Sequence, residues 1–148
     1  MTKKLKLVFA ADHAGYELKN HLRDLAEKQG YVVSDVGTHA ADSVDYPDYA
    51  HQAAAAIIGG QADLGIFVCG SGTGMAISAN KNQGIRAANC WSAEIARLAR
   101  EHNNANVLCI PARFVSPADA EAMMQLFLAA EFASGRHATR VSKIENVS

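Results

Sequence analysis

Apolar and polar positions along this chain switch repeatedly between two periods. Leu5-Lys6-Leu7-Val8-Phe9-Ala10 is short and mostly apolar, the pattern of a strand covered on both faces. Leu18, Leu22, Leu25 and Ala26 then recur at helical spacing until Gly30 stops the pattern. Tyr31 to Val36 reads as a second strand closed by Gly37. Pro47 suits the first turn of a helix with the stripe Ala50, Ala53, Ala54, Ile57 and Ile58, ending at Gly59-Gly60. Leu64 to Cys69 predicts a third strand, and a short helix follows from about Met75 to Asn80. Ile85 to Cys90 predicts a fourth strand, before a helix carrying Trp91, Ile95, Leu98, Ala99 and an inward-facing His102 on one side. Asn106 to Ile110 predicts a fifth. Ser116-Pro117-Ala118-Asp119 has the form of a capping box with Pro at the first helical position, opening a helix that buries Ala120, Met123, Met124, Phe127 and Leu128. The polar tail from Ser134 to Ser148 is expected to add a last short helix.

Five strand–helix alternations predict one α/β domain over residues 1–148: a Rossmann-like three-layer αβα sandwich around a five-stranded parallel sheet. Such sheets bind ligands beyond the carboxyl ends of their strands, where the strand order reverses. That expectation gathers four segments on one rim: Asp12-His13, Cys69 to Gly74, Cys90, and Pro111-Ala112-Arg113.

Composition narrows the function classes. The 148 residues are 49% apolar and 20% charged, a globular profile, and about a fifth of them are Ala, which favours close-packed helices. A formal net charge of −1 gives no general attraction to nucleic acid or anionic lipid. No apolar run reaches the roughly 18 residues of a membrane helix. The basic start, Met1 to Leu7, leads directly into a strand and does not read as a signal peptide. Three cysteines (Cys69, Cys90, Cys109) without CxxC spacing argue against a disulfide framework and a cysteine zinc site, and point to a reducing cytoplasm.

The strongest local signal is Gly70-Ser71-Gly72-Thr73-Gly74, between a strand and a helix. Alternating glycines let backbone N–H groups turn toward an anion at a helix N-terminus, although a tight turn alone would also use glycine. The dinucleotide fingerprint needs G-x-G-x-x-G after the first strand, and Walker A needs Gly-Lys-Ser/Thr. Neither is present. Cys69 stands at the mouth of this loop, where N–H groups favour a thiolate over an inert core thiol. A phosphatase-like Cys-x5-Arg fails, because position 75 is Met. Asp12-His13 offers a carboxylate and an imidazole, or simply a helix cap. Arg136 and Arg140, four apart, share a face if the tail is helical and could hold a phosphate or merely be solvated. Taken together, this set suits proton transfer next to a carbonyl on a small phosphorylated substrate.

At Cys69-Gly-Ser-Gly-Thr-Gly74 the chain closely resembles the family of ribose-5-phosphate isomerase B, which also holds galactose-6-phosphate and allose-6-phosphate isomerases. Asp12-His13-Ala14-Gly15, Asp45-Tyr46-Pro47, Ala79-Asn80-Lys81, Gly84-Ile85-Arg86-Ala87, His102-Asn103 and Gly135-Arg136-His137 carry the resemblance over nearly the whole chain. It implies that Cys69 takes the C2 proton of an open-chain aldose phosphate. The N–H groups of Gly70, Ser71, Gly72, Thr73 and Gly74 would hold the enediolate, with Ser71 assisting. It implies ring opening by His102, with Asp12 orienting or assisting. His13, Arg113, Arg136 and Arg140 would meet the phosphate, and Asn103 a sugar hydroxyl. It further implies no metal, no cofactor and a homodimer, or a dimer of dimers, with shared sites and the 134–148 tail at the subunit interface. Ser71 stands where the family often has Thr, and Met75 where some members place Glu. The expected reaction is interconversion of ribose 5-phosphate and ribulose 5-phosphate; the alternatives are the same chemistry on a hexose or tetrose phosphate, or a non-catalytic phosphometabolite-binding domain.

Overall fold

A computed structural model describes residues 5–146; residues 1–4 of the basic start and the last two of the polar tail lie outside the described residues. The strands are β1 (Lys6–Ala11), β2 (Val32–Gly37), β3 (Leu64–Cys69), β4 (Ala87–Asn89) and β5 (Val107–Pro111). The helices are α1 (Tyr16–Lys28), α2 (Tyr46–Ile58), α3 (Thr73–Asn80), α4 (Ala93–Asn103), α5 (Pro117–Ala129) and α6 (Arg136–Glu145). All strand pairings are parallel, in the order β2-β1-β3-β5-β4. The expected three-layer sandwich is present, and the order reverses between β1 and β3.

Because strand side chains alternate, each strand feeds two cores. Leu7, Phe9, Ile66, Val68, Leu108 and Ile110 meet α1, α4 and α5 on one face. On the other, Val8, Ala10, Phe67, Cys69, Val107 and Cys109 meet the small stripe Ala50, Ala53, Ala54 of α2 and Met75, Ala79 of α3. Small residues let α2 and α3 sit close to the sheet, while Met123, Met124 and Phe127 fill the thicker side. Fully burying a side chain of that size contributes about 1.5–3 kcal/mol. Ser116 caps α5 by accepting from the Asp119 N–H at 3.1 Å. Ser92 caps α4 in the same way through Ile95.

Three expectations need correction. β4 spans three residues rather than six, because it is an edge strand that pairs with β5 only from Ala87 to Asn89. Trp91 precedes α4 and is 64% exposed, so it is not part of the helix's inward face, where Ala96 and Ala99 are buried and Ile95 packs against the same core. The inward stripe of α1 contains a lysine: Lys19, Leu22 and Ala26 are its buried residues. The Lys19 ammonium, 0% exposed, donates to both oxygens of Asp35 at 2.8 Å and to the Thr38 carbonyl at 2.7 Å. Asp35 also accepts from Arg23 and from the Gly37 N–H. This network fixes the exit of β2, and the Thr38 N–H donates to Ala11 just before Asp12. Among the described residues, no helix is long and apolar enough to cross a membrane.

Candidate active site

The carboxyl ends of β1, β3 and β5 converge on a cavity of about 440 Å³, walled by Asp12, His13, Tyr46, Cys69, Ser71 and Arg113. Asp12 is 7% exposed, and its Oδ1 accepts from the N–H groups of Ala14 and Gly15, closing the turn into α1. His13 accepts at Nδ1 from the Val44 N–H at 3.2 Å, so a neutral ring carries its proton on Nε2. The turn after β5 is bonded to the β3 loop: Ala112 N–H donates to the Cys69 carbonyl and Arg113 N–H to that of Gly70. The Arg113 guanidinium lies over Gly70, where an added Cβ would stand 3.1 Å from Nη1. Pro111-Ala112-Arg113 thus delivers its arginine to the cavity, with Phe114, 75% exposed, on the lip.

Cys69 ends β3 with 4% of its surface exposed. Burial pushes its thiol above the ordinary value, and the neighbouring Asp12 charge adds to the rise. The N–H groups of Met75, Gly72 and Ser71 act in the opposite direction, toward the thiolate. Of the loop's five residues only Ser71 and Gly72 act on the thiol, joined by Met75 beyond the loop, and in the free chain burial outweighs them. The turn depends on glycine: Gly72 has φ +77°, and a Cβ there would collide with Asn89 Oδ1. A Cβ on Gly74 would stand 2.6 Å from the Tyr46 ring, so that ring packs directly on the loop. The loop's last two residues, Thr73 and Gly74, are already the first turn of α3, two residues earlier than expected.

The remaining candidates stand elsewhere. His102 and Asn103 end α4, which runs from the carboxyl ends of the strands back to the start of β5. Eleven helical residues cover about 16 Å, so these side chains sit at the opposite end of the sheet from Cys69. His102 is exposed, not inward-facing: the helix ends at Asn104, in the left-handed region, before the ring can reach the core. Its ring stacks on His137 of α6, centroids 4.4 Å apart and planes within 8°. Arg136 and Arg140 are exposed on the same helix. Burial, His102, Arg136 and Arg140 all lower the His137 pKa. One copy of the chain thus does not place these four residues around its own Cys69. Cys90, on the expected rim, is fully buried, and burial raises its thiol to about 11. A larger cavity, about 680 Å³, lies by α3, β4 and α6 and touches Asn103, but neither Asp12 nor Cys69.

Three contributors were not singled out from the sequence. Tyr46 belongs to one of the resemblance blocks, and a tyrosine just before the first-turn Pro47 of α2 was its available signal. Asn89 donates to the Ser71 carbonyl and to Thr73 Oγ1. Lys19 left no signal in apolar periodicity. Among the described residues no three His, Cys, Asp or Glu side chains come together as a metal-binding group.

Residues 7–144 match the family model described as Ribose/Galactose Isomerase. A putative sugar phosphate isomerase of Bacillus subtilis is 39% identical over 143 residues, covering 96% of each chain. The ribose-5-phosphate isomerase B of Escherichia coli is 41% identical over 139 residues, covering 94% of this chain and 93% of its own. The structure of Clostridium thermocellum ribose-5-phosphate isomerase B superposes with a TM-score of 0.94 at 48% identity, covering 95% of both chains. That of the Mycoplasma genitalium enzyme, solved with bound ribulose 5-phosphate, superposes with a TM-score of 0.91 at 39% identity, covering 95% of this chain and 93% of that one.

Proposed function

Because the chain belongs to the ribose/galactose isomerase family and is an aldose–ketose isomerase of the ribose-5-phosphate isomerase type, we propose that it interconverts D-ribose 5-phosphate and D-ribulose 5-phosphate at sites shared between two copies of the chain. The observation that carries this reading is a buried cysteine that ends β3, faces a cavity with Asp12, His13 and Arg113, and leads directly into the glycine turn that opens α3. His102 and Asn103 of the second copy meet the furanose, and His102 moves the proton between the anomeric hydroxyl and the ring oxygen as the ring opens. Cys69, as thiolate, takes the C2 proton. The electrons left behind form the C1–C2 double bond of an enediolate, whose oxygen is held by the N–H groups of Gly70 to Gly74 with Ser71 beside them. Returning the proton to C1, while the O2 hydroxyl proton passes to O1, gives the ketose and regenerates the thiolate, with no net redox change. Preorganised donors of this kind contribute about 3–4 kcal/mol each to the transition state.

A thiol pushed up by burial is a strong base once ionised, and Asp12 beside it orients the substrate hydroxyl or assists the ring proton. His13 through Nε2–H and Arg113 meet the phosphate from one copy, Arg136 and Arg140 from the other. The separation of the two residue sets within one copy supports a homodimer in which each chain completes its partner's site. Three free thiols, one of them the proposed base, suit a reducing cytoplasm. The test is an isomerisation assay over tetrose, pentose and hexose phosphates. The highest kcat/KM is expected on ribose 5-phosphate; a preference of tenfold or more for a hexose phosphate would assign another sugar, and no turnover on any would leave a binding domain.

A further inference from the structure

The glycine turn is gripped from outside by a side chain of a different strand. Asn89, the last residue of β4, donates from Nδ2 to the Ser71 carbonyl and to Thr73 Oγ1, each at 3.2 Å. The two acceptors stand on either side of Gly72. Asn89 Oδ1 is buried against Gly72 without a hydrogen-bond partner, in the space a Cβ there would need. The inner side of the same turn presents the Ser71 and Gly72 N–H groups to the Cys69 sulfur.

Peptide planarity connects the two sides. The Ser71 carbonyl and the Gly72 N–H belong to one peptide unit and point in opposite directions across a trans bond. Fixing the carbonyl outward on Asn89 therefore fixes the N–H inward. Gly72, lacking a Cβ and lying at φ +77°, resists rotation of that plane less than any other residue would. We propose that Asn89 is a positioning residue, which holds the Ser71–Gly72 peptide plane so that the anion cradle stays aimed at Cys69 and at the substrate oxygen beside it. Its catalytic consequence rests on the proposed role of Cys69 as base, whereas its effect on the thiol does not.

The experiment is Asn89→Leu, which keeps the side chain's shape and removes both donors. The rate of Cys69 alkylation by iodoacetamide is followed against pH, peptide by peptide, alongside kcat and KM. The alkylation midpoint should rise by roughly 0.5–1 pH unit as N–H donation to sulfur loosens. Turnover should fall about tenfold or more, with KM changed less than about twofold. A folded variant whose midpoint stays in place overturns the proposal, whatever its turnover. A raised midpoint with undiminished kcat supports the clasp and instead removes Cys69 from the role of base. Should Asn89→Leu not fold, Asn89→Ala removes the same donors without a side chain to misfit. A rise of the midpoint in the same direction supports the clasp there, and none overturns it.

Discussion

At the carboxyl ends of β1, β3 and β5 the residues are fixed within their own chain: the Asp12 carboxylate by two N–H groups, the His13 ring by the Val44 N–H, and the Arg113 backbone by Gly70. At the α4–α6 corner, His102, Arg136 and Arg140 are exposed, and His102 is positioned by ring stacking on His137. One region is a cavity set within a single fold around Asp12, His13, Cys69 and Arg113. The other is a cationic, imidazole-bearing surface with no cavity at Cys69 to serve in its own chain. Under the proposed mechanism that difference divides the chemistry: proton transfer next to the carbonyl draws on groups set within one fold, and ring opening with part of the phosphate contact draws on groups presented outward.

The comparison breaks most sharply at Cys69. Cys69→Ala should lower kcat by at least roughly 10³-fold, with the fold and phosphate-ligand binding intact. Near wild-type turnover in a steady-state assay would remove the thiol from the mechanism and point to Asp12. At the other region, Ala at Arg136 or Arg140 should cost about 10- to 100-fold in kcat/KM on ribose 5-phosphate. Unphosphorylated ribose is the control, and equal losses on it would mean that the arginines do not hold phosphate. His102→Asn separates ring opening from proton transfer. An open-chain aldose phosphate that cannot cyclise should be spared relative to ribose 5-phosphate, and equal losses on both would end the separate role.

The smallest effect concerns the support beneath the cavity. Burial alone would raise the Asp35 carboxyl, but the Lys19 ammonium, the Gly37 N–H and Arg23 outweigh it and hold the carboxyl below its usual range. A depressed native value means stability that is complete above the unfolded carboxylate range, near pH 4, and lost as pH falls through the native value. Tm should therefore drop progressively below about pH 4, and less steeply in Asp35→Asn than in the wild type. Parallel acid profiles for the two would show that Asp35 contributes nothing to that loss.

How much of this was legible depended on where each residue draws its partners. β3 was read to the residue because Leu64 to Cys69 is apolar on both faces and bounded by Asp63 and Gly70. β4 was overextended because an edge strand with one neighbour carries a weak pattern. Lys19 escaped because apolar periodicity does not count a lysine, and its partner, Asp35, lies on another element. The chemistry of the rim could be read from strand-end positions, since a parallel sheet places all its carboxyl ends together. His102 could not be placed that way: seven residues after Ile95 it keeps the helical register, but the helix has by then outrun the core. Whether a helix end serves its own sheet or a neighbour's is decided by assembly, which periodicity does not encode.

Complementation between the two regions tests that division most directly. Cys69→Ala and His102→Asn chains, each nearly inactive alone, are unfolded together, refolded as a mixture and assayed on ribose 5-phosphate. In a symmetric dimer with shared sites, half the dimers are mixed, and each mixed dimer holds one site with both groups intact. Activity should return to about a quarter of that of wild type treated identically. Activity that stays at the level of the separate parents would contradict a site divided between two copies.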